Sequence, residues 1–180
     1  MTMRSSLLFL SLCLLVFTVS ACEDSPTSTS TRVGKMTVEE FRADLAFATW
    51  FDHSYTAYPT PDAQATFTSN VASIKSALDT SHSFLMVVKP SCTCERTQQT
   101  MPAVLKVLDE AGFPHSKIDI YVTDARLAGF DAVKNTHAPA ITDAPVFIVM
   151  KGGVEKGRIS DIPTNGQTVE QVLSSYFAAP

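Results

Sequence analysis

Cys92 and Cys94 stand one residue apart in KPSCTCERTQQTMP, residues 89–102, between an apolar run and the start of a helical pattern. Two thiols so close have three chemical uses. As thiolates they can attack a disulfide and exchange electrons, they can hold a soft metal ion, or they can be two small residues that happen to be neighbours. A stabilising crosslink is a poor explanation, because a bond between residues two apart closes too short a loop to restrain the unfolded chain. A structural zinc site needs four ligands, and the chain has no second cysteine pair. Two thiolates suit Cu(I), with His82, His115 and His137 as conceivable third ligands, although none stands at a compelling spacing. Lys89 and Asp124, near expected strand ends, are candidates for assisting proton transfer.

The elements that must position these sulfurs can be read from caps and periodicity. Thr37 and Glu40 form a capping box, and Phe41, Leu45, Ala46 and Trp50 follow at helical spacing. Prolines in FDHSYTAYPTP end this helix, and Thr60-Pro61 starts a second one carrying Ala65, Phe67, Val71, Ile74 and Leu78 inward. FLMVV at 84–88 is a continuous apolar run, which predicts a strand buried on both faces. The segment after the cysteines places Val104, Leu105 and Leu108 on one helical face, with Pro102 inside the helix and Gly112 at its C-terminal cap. Strands are predicted at 117–122, 145–150 and 154–159, the last two joined by a glycine turn as a hairpin. A short helix is predicted over 126–133, and Thr168 with Gln171 opens a terminal helix bearing Val172, Leu173, Tyr176 and Phe177. Helices alternating with strands in this order predict an α/β fold, a mixed central β-sheet flanked by helices, with extra N-terminal helices.

The chain opens with a basic start at Arg4 and an apolar run through Phe17, an export signal expected to span 1–21. Val19-Ser20-Ala21-Cys22 resembles the lipobox of bacterial lipoproteins, which implies lipid on Cys22 and a membrane anchor. Residues 22–36, rich in Ser, Thr and Pro with no apolar period, read as a flexible tether, and 37–180 as one domain. Without Arg4, thirteen Lys and Arg face eighteen Asp and Glu, a net charge of −5 that argues against a nucleic-acid partner. The expected location is the cell envelope, lipid-anchored and facing the periplasm, where a disulfide is permitted.

A buried strand running into cysteines at a helix start, Pro102 within that helix, and Ala144-Pro145 before a hairpin resemble the thioredoxin superfamily, over roughly residues 50–177. The resemblance implies a thioredoxin-like fold, a cis-proline at Pro145 facing the active cysteine, and thiol-disulfide exchange with a protein partner or peptide without a bound cofactor. In that family the first cysteine of CxxC stands eight residues before the helix proline, which here is Cys94. Thr97 then occupies the second cysteine's place, and Thr93 replaces the usual tryptophan. The resemblance thus makes Cys94 the attacking thiol and sets Ala144, Pro145 and Thr97 on the substrate-binding side. Independently, a cysteine at a helix N-terminus has its thiolate stabilised by unsatisfied N–H groups and the helix dipole. Cys92 is the candidate resolving thiol, since residues i and i+2 in an extended turn can bring their Cα atoms to roughly 5–7 Å. The alternatives are a redox-inactive binding module that keeps the fold's groove, and a Cu(I)-handling protein.

Overall fold

A computed structural model describes residues 32–89, 95–124, 126–163 and 166–180. The architecture follows from β2, His82–Val88. Side chains alternate across a strand, so Phe84, Met86 and Val88 enter one core while Leu85 and Val87 enter another. With no face left for water, this strand must be covered on both sides and paired on both edges. Its neighbours are β3, Ile118–Val122, which runs parallel to it, and β4, Val146–Lys151, which runs antiparallel. β5, Val154–Ile159, closes a hairpin with β4, and β1, Gly34–Met36, pairs antiparallel with β3 at the opposite edge. The sheet order is β1-β3-β2-β4-β5. The mixed sheet flanked by helices is therefore as the sequence predicts.

The larger core lies under α1 (Val38–Ala43), α2 (Leu45–Ala57), α3 (Gln64–Ala77), α4 (Glu95–Ala111) and α6 (Val169–Phe177). The smaller core is covered by α5, Asp131–Lys134, and the chain around it, with Phe130 and Ile141 packed on Val87 and Ile148. The β2-α4-β3 unit is the crossover that sets α4 on the sheet, with Met101, Val104, Leu105 and Leu108 fully or almost fully buried. Truncating one such side chain to alanine typically costs about 2–5 kcal/mol. At Gly157 the ring of Tyr176 lies so close to β5 that any Cβ would collide with it, and the Tyr176 hydroxyl donates to the Arg158 carbonyl at 3.1 Å.

Five local expectations are corrected. The first predicted helix is two, because the Asp44 side chain caps a new start by accepting from the Ala46 amide at 2.9 Å. α2 then runs through Ala57, seven residues into the segment expected to break it. The inward face is Phe41, Phe47 and Phe51, while Leu45, expected inside, is 69% exposed, and Ala65 of α3 is exposed too. Residues 34–36, read as the end of a tether, form the edge strand β1, whose backbone partners on β3 are invisible to composition. The helix expected over 126–133 is only the four-residue α5, since the Asp124 carboxylate accepts from the Arg126 and Ala128 amides and shapes a loop instead.

Away from the cysteine end of the sheet, His115 joins α1 to α4. Its Nδ1 lies 3.0 Å from Glu39 Oε1 and its Nε2 2.7 Å from Asp109 Oδ1. Asp109 also accepts from the Tyr55 hydroxyl at 2.6 Å and has the Arg42 guanidinium 3.9 Å away. The Asp109 and Glu39 carboxylates raise the His115 pKa, and burial, with the Asp109 bond second, pushes the Tyr55 phenol up to about 12. A histidine whose folded pKa is raised contributes stability that is full below its unfolded value and is lost as pH rises through the folded one. Replacing His115→Gln should therefore lower Tm more at about pH 5.5 than at about pH 9. Thermal melts of both proteins at the two pH values check this, and an equal gap at both would refute it.

Candidate functional site

Cys92 and Cys94 lie outside the described residues, as do Cys22 and the remainder of 1–31; both flanks of the cysteine pair are described. On one side the chain leaves β2 at Val88 and reaches Lys89; on the other it is helical from Glu95. The register of β2 against β4 pairs Val87 with Val146. Antiparallel pairing sets the end of one strand beside the start of the other, so Ala144 and Pro145, immediately before β4, stand next to the point where the chain leaves for the cysteines. The Ala144–Pro145 peptide bond is cis. Ala144, Pro145 and Thr97 are all buried, Thr97 within the first turns of α4.

Asp143 ties these parts together. Its Oδ1 lies 3.4 Å from Lys89 Nζ and its Oδ2 2.9 Å from an Arg96 guanidinium nitrogen, so one carboxylate pairs with a cation on each side of residues 90–94. The Asp143 Oδ1 also accepts from the Ala144 amide at 2.8 Å. Arg96 donates in addition to the Ala144 carbonyl at 3.3 Å and to the Ser160 carbonyl at 3.2 Å. Both backbone groups of the residue preceding the proline are thus satisfied within the chain. An arriving polypeptide that accepts from the Ala144 amide must displace Asp143, whereas the carbonyl has a second lone pair beside the one that Arg96 uses. The Arg96 hydrogen bond, followed by the Ala144 amide and the Lys89 charge, holds the Asp143 carboxyl below the usual carboxylate range.

The other sequence candidates fall elsewhere. His82 begins β2 and His115 precedes β3, so both sit at the end of the sheet opposite the cysteine flank. His82 is buried with Nδ1 3.1 Å from Asp79 Oδ1, and His137 lies 3.4 Å from Glu155 Oε2, which Arg158 also holds. A third Cu(I) ligand from these histidines is therefore not brought to the cysteine flank. Among the described residues no group of three His, Cys, Asp or Glu is arranged to hold a metal ion. Asp124 is consumed by its loop. Lys89 is at the site, paired rather than isolated.

Asp143 is the residue that sequence reading missed. Its one signal is an acid directly before Ala144-Pro145, and the cations it holds are 54 and 47 positions away. Because its pKa is depressed, its contribution is present above the unfolded carboxylate value and lost as pH falls through the folded one. Both ion pairs are partly exposed, so Asp143→Asn is expected to cost no more than about 1 kcal/mol at neutral pH. That cost should shrink towards zero at about pH 3. Urea denaturation of both proteins at the two pH values measures the difference, and a cost that grows in acid would contradict the assignment.

Compared with models of protein families, with curated proteins and with solved structures, the chain matches none of them.

Proposed function

We propose that this chain has a thioredoxin-like fold and exchanges thiols with a protein partner through Cys94 and Cys92. The observation that carries the proposal is the corner around Asp143. A buried strand ends, α4 begins, and Ala144-Pro145 lies alongside, with Lys89 and Arg96 drawn to one carboxylate. Cys92 and Cys94 are the only nucleophilic sulfurs between those flanks. Cationic groups and a helix start both favour a thiolate over a thiol.

In the reductive direction the Cys94 thiolate attacks one sulfur of a partner disulfide. A mixed disulfide forms, and the partner's other sulfur leaves as a thiolate and takes up a proton. The Cys92 thiolate then attacks Cys94 Sγ, releasing the partner's second thiol and leaving a Cys92–Cys94 disulfide. Two electrons have passed to the partner, and a dithiol reductant in the same compartment restores the pair. The reverse sequence oxidises a partner dithiol. A bond between residues two apart closes a small, strained ring, which makes it more readily reduced than a structural disulfide.

The same proposal includes export and lipid anchoring through Cys22, on the strength of the sequence signal. No helix among the described residues is long and apolar enough to cross a membrane.

Replacing Cys92→Ser should trap mixed disulfides with partner proteins that vanish when Cys94→Ser is added. Non-reducing gels of cells quenched with acid read this out. No trapped species, with both native thiols inert to maleimide, would leave the redox-inactive binding module as the better explanation. Separately, Cys22→Ser should move the chain from the membrane fraction to the soluble fraction, and unchanged membrane association would remove the anchor.

A further inference from the structure

The chain enters the sheet at the same end from which it leaves for the cysteines. Gly34 of β1 pairs with Val122 of β3, and Val122 pairs with Val88 of β2, so the three residues form one row across the sheet. Val88 is the last residue of β2, directly before Lys89 and the cysteine segment. Neighbouring strands lie about 4.8 Å apart, which sets the entry at Gly34 about 10 Å from the exit at Val88. Contacts on both sides hold this entry in place. Arg32 Nη1 lies 2.7 Å from Glu40 Oε1, and Arg32 Nη2 donates to the Lys35 carbonyl at 3.4 Å. Val33 rests on Gly129, whose φ of +99° suits glycine and where any Cβ would collide with Val33 Cγ1 and come within 2.8 Å of the Val122 carbonyl.

Pro180 stands at the opposite end. The row there is His82, Lys151 and Val154, the first residue of β2 with its partners on β4 and β5. The Phe177 ring, last in α6, lies 5.3 Å from the His82 ring, and Lys156 of β5 donates to the Pro180 carbonyl. The seven residues of β2 separate the two rows by about 20 Å.

A lipid on Cys22 therefore takes hold of the domain by its cysteine end. Residues 22–33 span at most about 40 Å of extended chain, so the exit at Val88 stays within roughly 50 Å of the lipid. We propose that the end of the sheet holding Lys89, Arg96 and Ala144-Pro145 is a membrane-facing surface, and that its exchange partner is a protein disulfide or dithiol displayed at the same membrane. Two groups confined to one surface within a tether's reach meet at an effective concentration that a partner diluted through the compartment lacks. The proposal rests on the thiol-exchange function and the Cys22 anchor; the row of Gly34, Val122 and Val88 does not.

The test holds two reduced forms of residues 22–180, both Cys22→Ser, on phosphatidylcholine vesicles through a hexahistidine tag and a nickel-chelating lipid. One form carries the tag ahead of residue 22; the other carries it after Pro180, behind a second copy of residues 22–33 with the same substitution, so that both have equal reach. The vesicles display a pyridyl disulfide on phosphatidylethanolamine. A thiolate of the chain attacks the lipid-borne sulfur, the S–S bond breaks, and pyridine-2-thione leaves with the electron pair and is read by its absorbance. The form held at its N-terminus should react about fivefold faster than the form held at its C-terminus, while a soluble pyridyl disulfide should react equally with both. Equal rates on the lipid-borne disulfide, or a faster C-terminally held form, would overturn the proposal and leave thiol exchange standing; thiols inert to the soluble disulfide as well would overturn both. In cells, partners released by dithiothreitol from the disulfides trapped with Cys92→Ser should return to the membrane fraction. Partners that return to the soluble fraction would overturn the proposal alone, and an absence of trapped disulfides would remove the exchange function with it.

Discussion

A strand with apolar side chains on both faces cannot lie at the surface, and β2 imposes that constraint on everything around it. Phe84, Met86 and Val88 demand a helical layer on one side, and Leu85 and Val87 demand cover on the other. Its backbone groups demand a strand on each edge, which β3 and β4 provide. Because β3 is parallel, the connection has to cross over, and α4 is that crossover. Because β4 is antiparallel, Ala144 and Pro145 arrive beside the exit from β2. The juxtaposition of the cysteine flanks with that dipeptide is thus a consequence of core packing, with no dedicated contact required to create it.

Electrostatic pairing then refines what packing has placed. At one end of the sheet Asp143 gathers Lys89 and Arg96, and at the other Asp109 gathers His115, Tyr55 and Arg42. Partly exposed pairs of this kind are worth roughly 0–1 kcal/mol each, small beside one buried phenylalanine, so neither cluster decides the fold. Their effect is positional. Asp109 and His115 fasten α1 and α2 to α4, while Asp143 and Arg96 hold the backbone of Ala144 in a satisfied state.

What could be read from the sequence follows the range of the interactions. Thr37 with Glu40 and Thr168 with Gln171 are legible because a helix cap is an exchange between residues three apart. The strands read at 84–88 and 145–150 are legible because burial leaves a continuous apolar run. β1 is not, since a three-residue edge strand is defined by its partners Ile120, Tyr121 and Val122, far along the chain. Leu45 misleads because the Asp44 cap restarts the helix, and the register inferred from Phe41 does not carry across the break. At the candidate site Lys89, Ala144 and Pro145 could be named from local context, but Asp143 as the link between Lys89, Arg96 and Ala144 could not, being fixed by the β2/β4 register.

The bonding of Ala144 bears on how a partner can be engaged. Its amide already bonds to Asp143, so a partner carbonyl that pairs with it exchanges one hydrogen bond for another, while the Ala144 carbonyl, bonded by Arg96, keeps a second lone pair. Exchange of one hydrogen bond for another is worth little net free energy, about 1 kcal/mol either way. Backbone pairing at this corner can therefore orient a partner sulfur but cannot supply much affinity or choice. On the proposed function, the corner at Ala144 fixes the geometry of an arriving chain and leaves choice among partners to contacts outside it.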